Sequence, residues 1–368
     1  MELNELYKSF FALLTAGLWN REPECTYFPL SPEKWEQVYR FALKQTVEGI
    51  VFDGMLLLPE HFLPPKNLII KWVVAVDAIE KKNIRMNKAI GELNNLFLKN
   101  GIRVLLTKGQ GVAACYSNPL HRQCGDIDLA FPKKDMYDSA NRLIQQRNKN
   151  VEKQAGFSSD YVWKEFIVEH HGFLLDISNP FLFRYLRRLQ RQEEDQSMHL
   201  QIAGNKVQVP SPVLMHLSVN SHILRHLLSF GISIRQLCDS ARLCYMYHNK
   251  PEMQSLEKIY RKLGIYQWIQ MLNSLLVDYL GMSEEYLPFP VKTKRNADWM
   301  MKDILQGGSF GFFGGLFSKG TDTPQLKRKH TWLHLSVRFF RYVRYAPYEA
   351  CWFPVMHTYS HFKNWISK

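Results

Sequence analysis

At 368 residues the chain is long enough for two or three domains that each bury a core, and 46% hydrophobic against 22% charged content excludes a disordered chain. Forty-seven Lys and Arg against 34 Asp and Glu give a net charge of +13, which favours anionic partners such as nucleotides, nucleic acid, anionic lipid or phosphorylated glycans without selecting among them. The six cysteines form no C-x-x-C pair, so neither a zinc ribbon nor a disulfide framework is indicated and a reducing cytoplasm is the expected location. Glu2 and Glu5 stand where a signal peptide would be basic, and no segment approaches the ~20 apolar residues needed to span a bilayer.

Residues 1–100 read as a helical region. Phe10 to Trp19 suit an amphipathic first helix. Ser31 is a natural N-cap with Pro32 at the first helical position, and Trp35, Val38, Tyr39, Ala42 and Leu43 follow at helical spacing. After the prolines at 59, 64 and 65, Asn67 to Lys99 forms one long helical pattern that stops at Asn100-Gly101, with Trp72, Val73, Val76, Ile79 and Ile84 toward one side. This region holds no catalytic constellation and reads as scaffold or pocket wall.

Residues 101–210 carry the chemistry. Ile102 to Leu106 reads as a strand that enters Thr107-Lys108-Gly109-Gln110-Gly111, with a short helix from Val112 to Tyr116. Glycines there let backbone amides approach a phosphate, and Lys108 adds a cation. No Walker-type G-x-x-x-x-G-K-[ST] and no full G-x-G-x-x-G occurs. Gly125-Asp126-Ile127-Asp128-Leu129 follows as a strand. Asp126 and Asp128 then share one face, roughly 6.6 Å apart at ~3.3 Å per residue. Such a pair suits divalent cations ~3.5–4 Å apart that activate an attacking oxygen and neutralise a transferring phosphoryl group. Arg122 either meets the phosphates from the same side or pairs with the aspartates. A third carboxylate is expected from a neighbouring strand. Asp176 fits in Phe173 to Ile177, read as the second arm of a hairpin whose first arm is Glu165 to Glu169 and whose turn is His170-His171-Gly172; Glu169 and Asp160 are rivals.

Residues 211–368 read as a helical domain with a basic aromatic end. Val207 to Pro210 ends the last strand, and Pro212 to about His248 forms a helix. His222 and His226 have metal-ligand spacing but lack the Glu of H-E-x-x-H, so packed or substrate-facing histidines are expected rather than zinc ligands. Arg235 and Asp239 read as a surface i, i+4 ion pair. Six glycines interleave with phenylalanines over 307–320, as in an aromatic-anchored loop, with a phosphate-binding lid the alternative. Residues 321–368 mix basic and aromatic residues, which suits a terminal helical pair whose rings are core better than a surface for single strands or a membrane interface.

The run Leu106-Thr107-Lys108-Gly109, the block Tyr116…Pro119…Arg122-x-x-Gly125-Asp126-Ile127-Asp128-Leu129 and the later Leu175-Asp176-Ile177 resemble the DNA polymerase beta nucleotidyltransferase superfamily, and within it a branch of uncharacterised bacterial nucleotidyltransferases. The acidic element matches the superfamily's D-h-[DE]-h in full. The phosphate-binding element departs from it, with Gln110 where Gly or Ser is usual, Lys108 where a hydrophobic residue is usual, and a longer spacer. The resemblance covers about residues 102–180. It implies an α+β fold, with a polymerase-beta-like core of a small mixed sheet and helices flanked by helical N- and C-terminal regions. It also implies that Asp126, Asp128 and Asp176 bind Mg²⁺ or Mn²⁺, and that Lys108, Gly109, Gln110, Arg122 and Gly125 surround the nucleotide. The implied reaction is metal-dependent transfer of a nucleoside monophosphate from a nucleoside triphosphate to a hydroxyl of a sugar, small molecule, protein or RNA, with release of pyrophosphate. The alternative is a non-catalytic protein of the same fold that binds nucleic acid or an anionic glycan through its basic surface.

Overall fold

The structure, a computed structural model, describes residues 4–147, 152–154, 158–229, 231–292, 297–307 and 335–366. Four helices open the chain: α1 (Glu5–Trp19), α2 (Pro32–Lys44), α3 (Glu48–Leu56) and α4 (Lys66–Lys99). Ser31 caps α2 as expected, its hydroxyl accepting the Lys34 amide with Pro32 in the first turn. Helices α1 and α3 cross where Gly17 and Gly54 meet, because a Cβ on Gly17 would strike the Ile50 carbonyl and one on Gly54 the Leu13 carbonyl.

The long helix α4 buries Trp72, Val76, Ile79, Asn83, Met86, Ile90, Leu93 and Phe97, a stripe alternating three and four residues apart. Val73 and Ile84, expected on that stripe, fall outside the alternation and are exposed.

A five-stranded mixed sheet follows. Its strands are β1 (Leu105–Thr107), β2 (Ile127–Ala130), β3 (Glu152–Gln154), β4 (Ser158–Trp163) and β5 (Phe166–His171), in the order β1-β2-β5-β4-β3. Strand β2 pairs antiparallel with β1 and parallel with β5; the other pairs are antiparallel. Between these strands lie α5 (Lys108–Ala113), whose first residues Lys108 and Gly109 form a kinked, non-helical turn ahead of the short helix, and α6 (Lys134–Gln145). The hairpin expected around His170-His171-Gly172 is replaced by one between β4 and β5, with Lys164 at positive φ in its turn. Phe166 to His171 therefore stays one strand, and Asp176 lies in the irregular segment beyond it rather than on a strand.

Helix α7 (Phe183–Gln192) leads into a separate ribbon of β6 (Met198–Ile202) and β7 (Asn205–Val209). The single helix expected from Pro212 divides into α8 (Pro212–Leu228) and α9 (Ile234–Tyr247). Gly231 at φ 95° and a capping box of Ser233 with Gln236 make the break. Helices α10 (Ser255–Leu263), α11 (Tyr266–Asp278), α12 (Asp298–Gly307), α13 (335–342) and α14 (Pro347–Ile366) complete the described chain. Apart from Gly307 at the end of α12, the glycine-aromatic stretch lies outside the described residues, as does the first part of the basic aromatic end. One hydrophobic cluster runs from α1 through α4 and the sheet to α14, so the molecule is a helix-rich α+β fold around a small mixed sheet. Among the described residues no helix is long and apolar enough to cross a membrane.

Candidate active site

Strand alternation places the acids. Phe166, Val168 and His170 are buried on one face of β5, which leaves Glu169 and His171 on the other. Parallel pairing brings Asp128 level with Glu169, and side chains of paired residues share a face. Asp128 Oδ1 lies 2.8 Å from His171 Nε2, and Glu169 Oε2 lies 3.5 Å from the same nitrogen. Ligand atoms of Asp128, Glu169 and His171 all fall within 4.8 Å of one another. Asp126 immediately precedes β2. Its carboxylate has no hydrogen bond among the described residues, and burial together with the Asp128 charge pushes it above the usual carboxylate range.

The turn after β1 supplies the opposing charge. Lys108 and Gly109 both have positive φ, 41° and 36°, and Gly109 has ψ −120°, outside helical geometry. A Cβ on Gly109 would lie 3.0 Å from Cys124 Sγ, so glycine is required here by both backbone shape and space. The turn aims Lys108 into the acids, its Nζ 3.3 Å from Asp128 Oδ1 and 3.8 Å from Asp176 Oδ2. Burial opposes the ammonium charge, but Asp128, Asp176, Glu169 and Asp126 outweigh it and raise the Lys108 pKa. Burial likewise opposes the Asp128 charge, yet Lys108 and the His171 hydrogen bond hold that carboxyl well below its ordinary range. Glu169 moves the other way. Burial and the Asp128 and Asp126 charges push it up to about 7.

Asp176 reaches this cluster from the side and is fully occupied. His222 Nδ1 lies 2.8 Å from its Oδ2, and Arg225 Nη1 donates to Oδ1 at 2.7 Å. Burial disfavours its charge, but Lys108, His222 and Arg225 keep the carboxyl ionised well below the usual range. His222 and His226 meet edge-to-face at 4.3 Å between ring centroids, and His222 turns toward Asp176.

Two of the remaining sequence-predicted residues, Arg122 and Gln110, are engaged by side chains of α9 and α4. Arg122 is buried and bidentate to buried Asp239, with Nε to Oδ1 at 2.9 Å and Nη2 to Oδ2 at 2.6 Å; Tyr116 Oη donates to the same carboxylate at 2.7 Å. Asp239 is therefore not the surface partner of Arg235, whose Nη1 instead donates to the Gln123 carbonyl at 2.7 Å. The Gln110 side chain points into the protein and donates to Asn83 Oδ1 at 2.8 Å, while Asn83 Nδ2 donates to the Leu120 and Arg122 carbonyls. Gly125 is exposed, with open space where a Cβ would stand. His121 sits between α3 and α4, Nδ1 2.6 Å from Asp53 Oδ1 and Nε2 2.7 Å from Glu80 Oε1.

The carboxylates fit a hard divalent cation: Asp128 and Glu169 stand on two adjacent strands, Asp126 just before β2 makes no hydrogen bond among the described residues, and His171 lies within reach of Asp128 and Glu169. Sequence reasoning ranked Glu169 below Asp176 and gave His171 to a turn. The alternation of Phe166-Ile167-Val168-Glu169-His170-His171 was the signal that identifies both on one strand face.

The profile of the family described as uncharacterised nucleotidyltransferase matches residues 31–281. No curated protein matches the chain. Among solved structures, an antigenic nucleotidyltransferase-like protein from Paracoccidioides brasiliensis aligns over 56% of this chain and 94% of its own at 15% identity, with a TM-score of 0.32, too loose to argue from. The family match spans well over half the chain and contains every acid of the cluster, and on that ground the chain belongs to the uncharacterised nucleotidyltransferase family.

Proposed function

We propose that the protein is a metal-dependent nucleotidyltransferase with a polymerase-beta-like core, moving a nucleoside monophosphate from a nucleoside triphosphate to a hydroxyl acceptor with release of pyrophosphate. The observation that carries this reading is the register of β2 with β5, which puts Asp128 and Glu169 side by side with Asp126 next in line. Asp126, Asp128 and Glu169 would hold Mg²⁺ or Mn²⁺, with His171 positioning Asp128 through its 2.8 Å contact. A cation bound there supplies the positive charge that favours attack on an α-phosphate and acidifies the acceptor hydroxyl.

The chain's own groups do the rest. Lys108 keeps Asp128 ionised and ready as a ligand, and its turn presents backbone beside the acids, where phosphate oxygens would lie. Asp176, held by His222 and Arg225, fixes the Lys108 ammonium from the far side. In this reading Asp176 positions Lys108, and Glu169 takes the third ligand place.

The test is pyrophosphate release from each nucleoside triphosphate with Mg²⁺ or Mn²⁺ and cell extract as the source of acceptor. Asp128→Asn should reduce release by roughly a hundredfold or more, the scale of a lost transition-state contact. Release at the wild-type rate from that variant would reject the assignment.

A further inference from the structure

Helix α7 carries Arg184, Arg187, Arg188 and Arg191 at i, i+3, i+4 and i+7, all exposed, while its Leu186 and Leu189 are buried. Among the described residues no carboxylate pairs with any of the four. Of the three acids that follow them in sequence, Glu193 is engaged by Ser211 and Glu194 by Arg103, and Asp195 pairs with none of the four arginines. Against this face lies a cavity of about 360 Å³ whose wall includes Lys133, Lys134, Arg187, Arg191, Gly172 and Phe173. Four cations, Lys133, Lys134, Arg187 and Arg191, line the cavity beside one carboxylate, Glu194, which Arg103 already engages, and Arg184 and Arg188 extend the positive face along α7. Like charges this close repel one another, and an anion relieves that repulsion.

We propose that this surface binds a single-stranded phosphodiester chain. Arginine forks pair with phosphate oxygens two at a time, and a stripe from 184 to 191, ~10.5 Å long at ~1.5 Å per residue, is long enough to meet more than one phosphate of an extended strand. Rings stand beside the charges. Phe181, 81% exposed, precedes α7, and Phe173 forms part of the cavity wall, so bases have apolar faces to stack on. An anionic membrane fits less well, because the apolar side of α7 itself is consumed by the core, so the arginine face is not backed by a row of inserting side chains on the same helix. Gly172 and Phe173 also connect His171 to Asp176, so the cavity and the acidic cluster share one segment of chain. Binding here does not depend on transferase activity, and its test omits metal and nucleotide.

Fluorescence anisotropy with labelled single-stranded RNA and DNA oligonucleotides over a salt series reads the proposal in the full-length protein. Binding should weaken with salt. Replacing all four arginines by alanine should weaken it about tenfold or more and lower the log–log salt slope by roughly 0.7 per lost phosphate contact, with thermal stability unchanged. If that variant does not fold, Arg187→Ala and Arg191→Ala taken singly should each weaken binding several-fold. A control in which Lys34, Lys66, Lys71 and Lys81 become alanine removes the same charge from the N-terminal helices and should bind as wild type. Tighter binding of RNA than DNA would identify the strand as RNA, and equal binding would mean that the phosphodiester backbone alone is read. Equal losses in the two charge variants, undiminished binding after arginine removal, or sedimentation with phosphatidylserine vesicles and no oligonucleotide binding would overturn the proposal.

Discussion

Lys108 is the residue on which the acidic cluster depends for charge balance. It faces Asp128 and Asp176 at once from a turn in which two consecutive residues have positive φ, a conformation a side-chain-bearing residue adopts only when its surroundings enforce it. Removing one member of a buried ion pair leaves the other charge uncompensated, which typically costs 3–5 kcal/mol. For Lys108→Met about 3 kcal/mol is expected, the low end, because His171, His222 and Arg225 still serve the two carboxylates. Urea denaturation measures it. Adding Mn²⁺ should recover part of the loss, since a bound cation replaces the missing charge; a variant as stable as wild type would mean that the ammonium contributes nothing there.

At the scale of elements, the segment that delivers Asp126 to β2 is fastened to the helices around it. Arg122 ties it to α9 through Asp239, Asn83 ties it to α4, and His121 bridges α3 and α4 through Asp53 and Glu80. Arg122→Met should cost roughly 3–5 kcal/mol, because Asp239 is buried and keeps only the Tyr116 hydroxyl. A calorimetric melting temperature within a degree or so of wild type would contradict this.

His121 makes the fastening pH-dependent. Burial disfavours its charged form, but the hydrogen bonds and charges of Asp53 and Glu80 prevail and raise its pKa above the usual histidine value. A pKa higher in the folded than in the unfolded chain contributes stability fully present below about pH 6.5 and lost as pH rises through the folded value. Wild type should therefore lose more stability than His121→Gln between about pH 6 and 8 when melting temperatures are compared. Parallel curves would remove His121 from the account.

The same elements mark what was legible in the sequence. The N-cap at Ser31, the length of α4 and the aspartates at β2 follow from local rules of capping, periodicity and strand alternation, and all three are readable without a structure. Long-range pairings were not. Arg122 and Asp239 are separated by more than a hundred residues, and four residues of helix made Arg235 the more obvious partner. The place of the hairpin turn decided whether Glu169 or Asp176 stood on the strand beside Asp128, and a positive-φ Lys164 gives no composition signal.

At the scale of the whole molecule, α4 packs its Phe97 against Phe131 and His170 beside the acid-bearing strands, α5 links those strands to α8 and α9, and the Arg-rich helix α7 binds the segment of chain that leaves them through Gln190. Glu349 on α14 reinforces that segment by accepting the Ser178 and Asn179 amides, at 2.7 and 3.2 Å. The C-terminal region thereby holds in place the chain that follows Asp176. The central claim is that β2 and β5 together form a cation site, completed by Glu169 rather than by Asp176. Titration of Mn²⁺ into the full-length protein, followed by electron paramagnetic resonance, tests this most directly with wild type, Asp128→Asn, Glu169→Gln and Asp176→Asn side by side. Wild type should bind, Asp128→Asn and Glu169→Gln should bind at least about tenfold more weakly, and Asp176→Asn should stay within a few-fold of wild type. Absence of binding by wild type, or loss in Asp176→Asn with retention in Glu169→Gln, would contradict it.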